Sequence, residues 1–239
     1  MRINAYRQKR CYALLLLALL ACSCGRAIFR PSLASTAGNA GEANPVVYVS
    51  MGDSTCVGFG AREGGYAQRL FTRIRHKSPG ASLNNLCRIG ATTADVLRDQ
   101  TVRVAGARPT LITLGVGAND LLRNVPPEQF EANYENIVIQ LKGTGASVVL
   151  MNLPDISLAP GTPGNAREET LRRVLLFNKT MESIARRHAL PLLDLFATTR
   201  ESIPQHPEFF SSDGVHPSDE GYEFWADSMW PGVEAAIKW

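Results

Sequence analysis

Several signatures of well-understood chemistry are missing from this chain of 239 residues. No Gly-x-Gly-x-x-Gly follows its first β-rich run and the P-loop lysine is absent, so neither a dinucleotide crevice nor a nucleoside-triphosphate cradle is expected. Around Ser54 there is no Gly-x-Ser-x-Gly, which excludes the usual strained nucleophile elbow. Histidine is scarce, with four residues, and no cysteine pair has metal-ligand spacing, so no metal site is expected. There are no internal repeats. No apolar run reaches the roughly 20 residues needed to span a bilayer. A basic surface is lacking too: Arg2, Arg7, Lys9 and Arg10 carry four of the positive charges, and setting them aside takes the formal charge from +3 to −1. That leaves no footprint for nucleic acid.

Those four basic residues precede Tyr12-Ala13-Leu14-Leu15-Leu16-Leu17-Ala18-Leu19-Leu20-Ala21, a charged segment and an apolar segment with signal-peptide proportions. Leu19-Leu20-Ala21-Cys22 resembles the lipobox of bacterial lipoproteins, in which the cysteine is lipidated and becomes the mature N-terminus. Residues 1–21 are therefore expected to be a signal segment and Cys22 a lipid anchor, with secretion after an ordinary signal cleavage as the alternative. Residues 22–45, rich in Ala, Gly, Ser and Asn without periodicity, form a flexible tether. Export leaves Cys24, Cys56 and Cys87 in a disulfide-permissive setting. For Cys56 and Cys87 two buried thiols are the first expectation, with a disulfide as the alternative.

Residues 46–239 are enough for one domain with a well-buried core. Val46-Val47-Tyr48-Val49-Ser50-Met51 is a short β-rich run that stops at Gly52-Asp53-Ser54. Further strands are expected at 82–88, 110–116, 147–153 and 190–196. Between them stand helical patterns at 66–77, briefly around Asp95 to Leu97, from Pro126–Pro127 to Gly143, and at 168–188, with a last helix at 220–238. This alternation predicts a three-layer α/β/α sandwich around a five-stranded parallel sheet, in the flavodoxin-like order 2-1-3-4-5. In such a sheet, chemistry gathers beyond the carboxyl ends of the strands. The loop after Leu153 and the segment from Ile203 to Phe210 are the expected rims of a site.

Ser54 leaves the first strand at that end. A serine hydroxyl needs a base to take its proton, and the base needs an acceptor to hold its tautomer. His76 and His188 sit in the C-terminal parts of basic helices, where a structural role suffices, and His206 sits in a loop. His216 differs because Asp213-Gly214-Val215-His216-Pro217 puts an acid and a histidine three residues apart in a tight loop. Asp213 accepting from Nδ1 leaves Nε2 for Ser54. Acyl transfer further requires donors for the developing oxyanion. Gly90 and Asn119, after the second and third strands, can supply a backbone and a side-chain N–H. Taken singly, each residue has an ordinary explanation as a turn or capping group.

Together, Gly52-Asp53-Ser54, Gly90, Gly117-Ala118-Asn119-Asp120 and Asp213-Gly214-Val215-His216-Pro217 resemble the four sequence blocks of the SGNH hydrolases, also called GDSL esterases or lipases. The resemblance runs from residue 46 to residue 239 and implies the fold expected above. It further implies that Ser54 is the nucleophile, that the Ser54 and Gly90 amides with the Asn119 side chain form the oxyanion hole, and that His216 is the base oriented by Asp213. Asp53, Asp95 and Asp120 are expected to be structural hydrogen-bonding groups. Thr55 departs from the leucine that often follows Gly-Asp-Ser in the family, a difference that bears on substrate subgroup. The activity implied is hydrolysis of a small-molecule, glycan or lipid ester through an acyl-enzyme, without cofactor, by a monomer held in the cell envelope. An O-acyltransferase or polysaccharide O-deacetylase on the same scaffold, and a non-catalytic surface binding protein, are the competing expectations. Chymotrypsin-like proteases share Gly-Asp-Ser, but they carry His and Asp earlier in the chain.

Overall fold

A computed structural model describes residues 45–239. The expected signal segment, Cys22, Cys24 and the tether up to residue 44 lie outside the described residues. Within them, Val47–Gly52 (β1), Ser82–Asn85 (β2), Leu111–Gly115 (β3), Ser147–Met151 (β4) and Leu192–Leu193 (β5) pair in parallel in the order β2-β1-β3-β4-β5. This is the expected α/β architecture.

Alternation along the strands builds two cores. Tyr48, Leu111, Val149 and Met151 face Leu70 and Ile74 of Tyr66–Lys77 (α2, preceded by the short α1, Ser54–Val57), and also meet Tyr222 and Met229 of the last helix. Val49, Met51, Ile112, Leu114, Val148 and Leu150 face the opposite layer. Such a period of two on strands buried on both faces is what turns near-continuous apolar runs into a central sheet.

The opposite layer begins with Thr93–Asp95 (α3), continues through a π turn at Val96–Gln100, and ends as Thr101–Ala107 (α4), so the brief helix expected near Asp95 is longer than anticipated. Ala118–Leu122 (α5) follows β3. Pro127–Lys142 (α6) and Arg167–His188 (α7) complete this layer through Phe130, Tyr134, Phe177 and Met181.

Two expectations are corrected. The run 190–196 is not one strand: only Leu192 and Leu193 pair, with Leu150 and Met151, because the Asp194 side chain accepts the Ala197 N–H and starts Leu195–Ser202 (α8). The apolar residues Leu195 and Phe196 therefore belong to a helix. Cys56 and Cys87 are also not separate thiols. Neighbouring strands β1 and β2 lead out on the same side, and the two cysteines are joined in a disulfide with Cα atoms 6.0 Å apart. After the irregular stretch from Ile203 to Pro217, Ser218 caps Asp219–Ala236 (α9).

Candidate active site

The carboxyl end of β1 is shaped by glycine. Gly52 has φ of +145°, and a Cβ there would lie 2.0 Å from the carbonyl oxygen of Gly115 on β3. Only glycine lets the two strands stay paired while the chain swings out. The Gln100 side chain completes the strand end, accepting from Gly52 N at 2.9 Å and donating to Gly52 O at 2.8 Å. Asp53 then caps α1 by accepting from both Thr55 N, at 3.0 Å, and Thr55 Oγ1, at 2.9 Å. Thr55 thus gives Asp53 a second donor that leucine would lack. Burial raises the Asp53 carboxyl to about 6, against the Thr55 hydrogen bonds and the His216 charge, which pull it down.

Ser54, the first residue of α1, is 6% exposed, and its Oγ donates to Nε2 of His216 at 2.8 Å. On the other side of the ring, Nδ1 donates to Oδ2 of Asp213 at 2.7 Å. The remaining Asp213 oxygen accepts from Ser211 Oγ, Val215 N and His216 N at 2.9, 2.8 and 2.9 Å. Partial burial works to raise this carboxyl, yet those hydrogen bonds and the imidazole prevail and hold it well below the usual carboxylate range. It stays an acceptor for the imidazole N–H throughout the neutral range. The turn itself is closed by Ser211 N donating to His216 O at 2.8 Å and by Gly214 at φ of +70°. The Phe59 ring lies 4.7 Å from the imidazole.

Ser54 is therefore joined in hydrogen-bonded sequence to His216 and Asp213, which lie more than 150 positions later in the chain. The fourth and fifth expected residues are placed less uniformly. Asn119, in α5, lines the same cavity as Ser54 and His216, and one hydrogen of its amide is given to Ala91 O at 3.1 Å. Gly90 is not among the residues lining that cavity. It sits in the turn after β2, at φ of +75°, and its carbonyl accepts from Arg123 at 2.9 Å. Among the described residues neither Ser54 N–H nor Gly90 N–H has a hydrogen-bond acceptor. Asp95 forms a capping box with Thr92, and Asp120 accepts from Thr93 N at 2.8 Å, so both serve structure.

The cavity has a volume of about 130 Å³. Leu153, Ile156 and Ala159 after β4, and Ile203, Phe209 and Phe210 after α8, form much of its wall. These are the two segments expected as rims. Such an arrangement offers a polarised hydroxyl beside an apolar recess, as acyl transfer to serine requires. Among the described residues no cluster of His, Cys, Asp and Glu is arranged to hold a metal. Sequence reasoning missed Gln100, Ser211 and Phe59. Nothing near Gln100 in sequence signals its partner 48 residues away, whereas Ser211, two residues before Asp213, was within view.

Residues 50–224 match the model of the GDSL-like lipase/acylhydrolase family. Among curated proteins, the chain is 23% identical to the esterase TesA of Pseudomonas aeruginosa over 188 residues, covering 78% of this chain and 87% of that protein. It is 27% identical to an arylesterase of Vibrio mimicus over 119 residues, a match that spans only about half of each, 50% and 53%. Among solved structures, the lipase/acylhydrolase from Enterococcus faecalis superposes with a TM-score of 0.66 at 24% identity, covering 81% of this chain and 97% of that one.

Proposed function

The chain belongs to the GDSL-like lipase/acylhydrolase family, and on that premise we propose that it is a serine-dependent carboxylic ester hydrolase working through an acyl-enzyme. His216 Nε2 takes the proton of Ser54 Oγ as the oxygen attacks the ester carbonyl. The positive imidazolium is stabilised by Asp213, which keeps its negative charge. The oxyanion is received by the Ser54 amide and the free hydrogen of the Asn119 amide, both on the cavity wall, each such donor being worth about 3 kcal/mol of barrier; the Gly90 amide, expected as a third donor, lies outside that lining. His216 then gives the proton to the leaving alcohol, and activates a water that releases the acid from Ser54.

The observation that carries this reading is the unbroken hydrogen-bonded line from Ser54 Oγ to Nε2, at 2.8 Å, and from Nδ1 to Asp213, at 2.7 Å. Support for an acyl group as the bound part comes from the apolar wall of Leu153, Ile156, Ile203 and Phe209. Replacing Ser54 with Ala abolishes hydrolysis of p-nitrophenyl esters on this reading; turnover retained by the purified variant would overturn it. The proposal includes export and attachment to the cell envelope through lipidated Cys22. The Cys56–Cys87 disulfide supports an oxidising compartment.

A further inference from the structure

The hydrogen bonds inside the turn 211–216 fix its internal shape, but they do not fix where the turn stands relative to Ser54. Two glycines on neighbouring segments press on it from outside. On one flank is Gly60, where a Cβ would lie 2.7 Å from Ser211 Oγ and 3.1 Å from His216 Cβ. On the other is Gly161, whose N–H donates to Gly214 O at 2.8 Å. A Cβ on Gly161 would lie 2.7 Å from Val215 Cγ2 and 3.2 Å from the carbonyl oxygens of both Asp213 and Gly214.

Gly161 belongs to a strap, residues 154–162, that is itself pinned at its other end. Asp155 is 0% exposed, its N–H donates to Thr199 Oγ1 at 2.9 Å, and its carboxylate pairs with Arg200 of α8. The other carboxylate oxygen accepts from Ser157 N. Thr162 Oγ1 donates to Ile156 O at 2.7 Å and folds the strap onto itself. A buried carboxylate with a fixed cation and several donors is a stiff anchor, because any movement leaves a charge unpaired. Ile156 and Ala159, between the two ends, form cavity wall.

We propose that Gly161 is a positioning residue for His216: the strap anchored by Asp155 and Arg200 holds the Asp213–His216 turn in hydrogen-bonding reach of Ser54. This rests on the reading of His216 as the base. Gly161 itself does not line the cavity, so it acts through the turn, whereas Ile156 and Ala159 of the same strap form acyl wall.

Gly161→Ala tests it, since backbone carbonyls can yield to the new methyl only by moving the turn. The 3.2 Å contacts ask the turn backbone to give by a few tenths of an ångström; since a displacement of about 1 Å costs on the order of 100-fold in kcat, a loss of roughly several-fold to 10-fold is expected, with KM for a p-nitrophenyl ester little changed because the acyl wall stays in place. The discriminating measurement is a double-mutant cycle with Asp213→Asn, read as the rate of fluorophosphonate labelling. If Gly161 acts through the Asp213–His216 pair, its substitution has no further effect once that pair is broken. An equal loss in both backgrounds, or a normal rate for Gly161→Ala, overturns the proposal. Should that variant not fold, Arg200→Gln at the strap's other end is expected to show the same loss, the same silence in the Asp213→Asn background, and recovery in Arg200→Lys. Ser54→Ala separates the two levels: an active Ser54→Ala enzyme defeats the base assignment, whereas an inactive one beside a normal Gly161→Ala defeats only the strap.

Discussion

Asp53 and Asp213 stand on either side of His216 and Ser54, yet their environments drive them in opposite directions. Asp213 keeps its charge through four hydrogen bonds, while Asp53 is 3% exposed and is raised to about 6 by burial. A native carboxyl that binds its proton more tightly than the unfolded chain does stabilises the fold at low pH. For Asp53 that contribution is complete below about pH 4 and is lost as the pH rises through about 6, a span worth on the order of 3 kcal/mol. Asp53→Asn keeps the Thr55 acceptor but cannot ionise. Its stability relative to wild type, from urea unfolding, is therefore expected to improve from pH 4.5 to pH 7.5; a difference that does not change with pH would contradict the assignment. At this scale the sequence was informative where chemistry is local. Asp213, Val215 and His216 lie within one turn and declare themselves by type and spacing. Gln100, which holds the end of β1, was silent because its whole role is a contact across 48 residues.

Among elements, α1 is too short to hold itself, with four residues, and it carries Ser54. Its stability comes from outside: the Cys56–Cys87 disulfide ties it to the end of β2, and Asn85 reinforces the tie by donating to Cys56 O at 3.2 Å and accepting from Cys87 N at 3.0 Å. A cross-link over a sequence separation of 31 stabilises by about 3 to 4 kcal/mol in the chain-entropy account. Cys56→Ser/Cys87→Ser is expected to lower the unfolding free energy by up to that amount, and added reductant is expected to do the same to wild type but nothing to the double variant. The strands β1, β3 and β4 were legible because burial on both faces forces continuous apolar runs. β5 was not, since Leu190 to Phe196 has the same composition whether it pairs or coils. The decision fell to the Asp194 cap, a single side chain whose bond to Ala197 N–H competes with the strand.

For the molecule as a whole, the sheet order followed from the alternation of elements, while the cavity could be read only in outline. Its wall collects residues from the ends of β1, β3 and β4 and from the segments around α8 and α9. No local pattern marks Leu153, Ile203 and Phe224 as neighbours. The proposed anchoring is tested at the same scale: Cys22→Ala expressed as the full chain is expected to move esterase activity from the membrane fraction to the soluble one, and activity that stays soluble in both forms would remove the lipid anchor from the account. The central claim, that Ser54 is the nucleophile, is tested most directly by treating the protein with a fluorophosphonate and locating the adduct by peptide mass spectrometry. The account predicts a single adduct on Ser54, absent from Ser54→Ala and slowed in His216→Ala. An adduct on another residue, or ester hydrolysis that proceeds with Ser54 unlabelled, would contradict it.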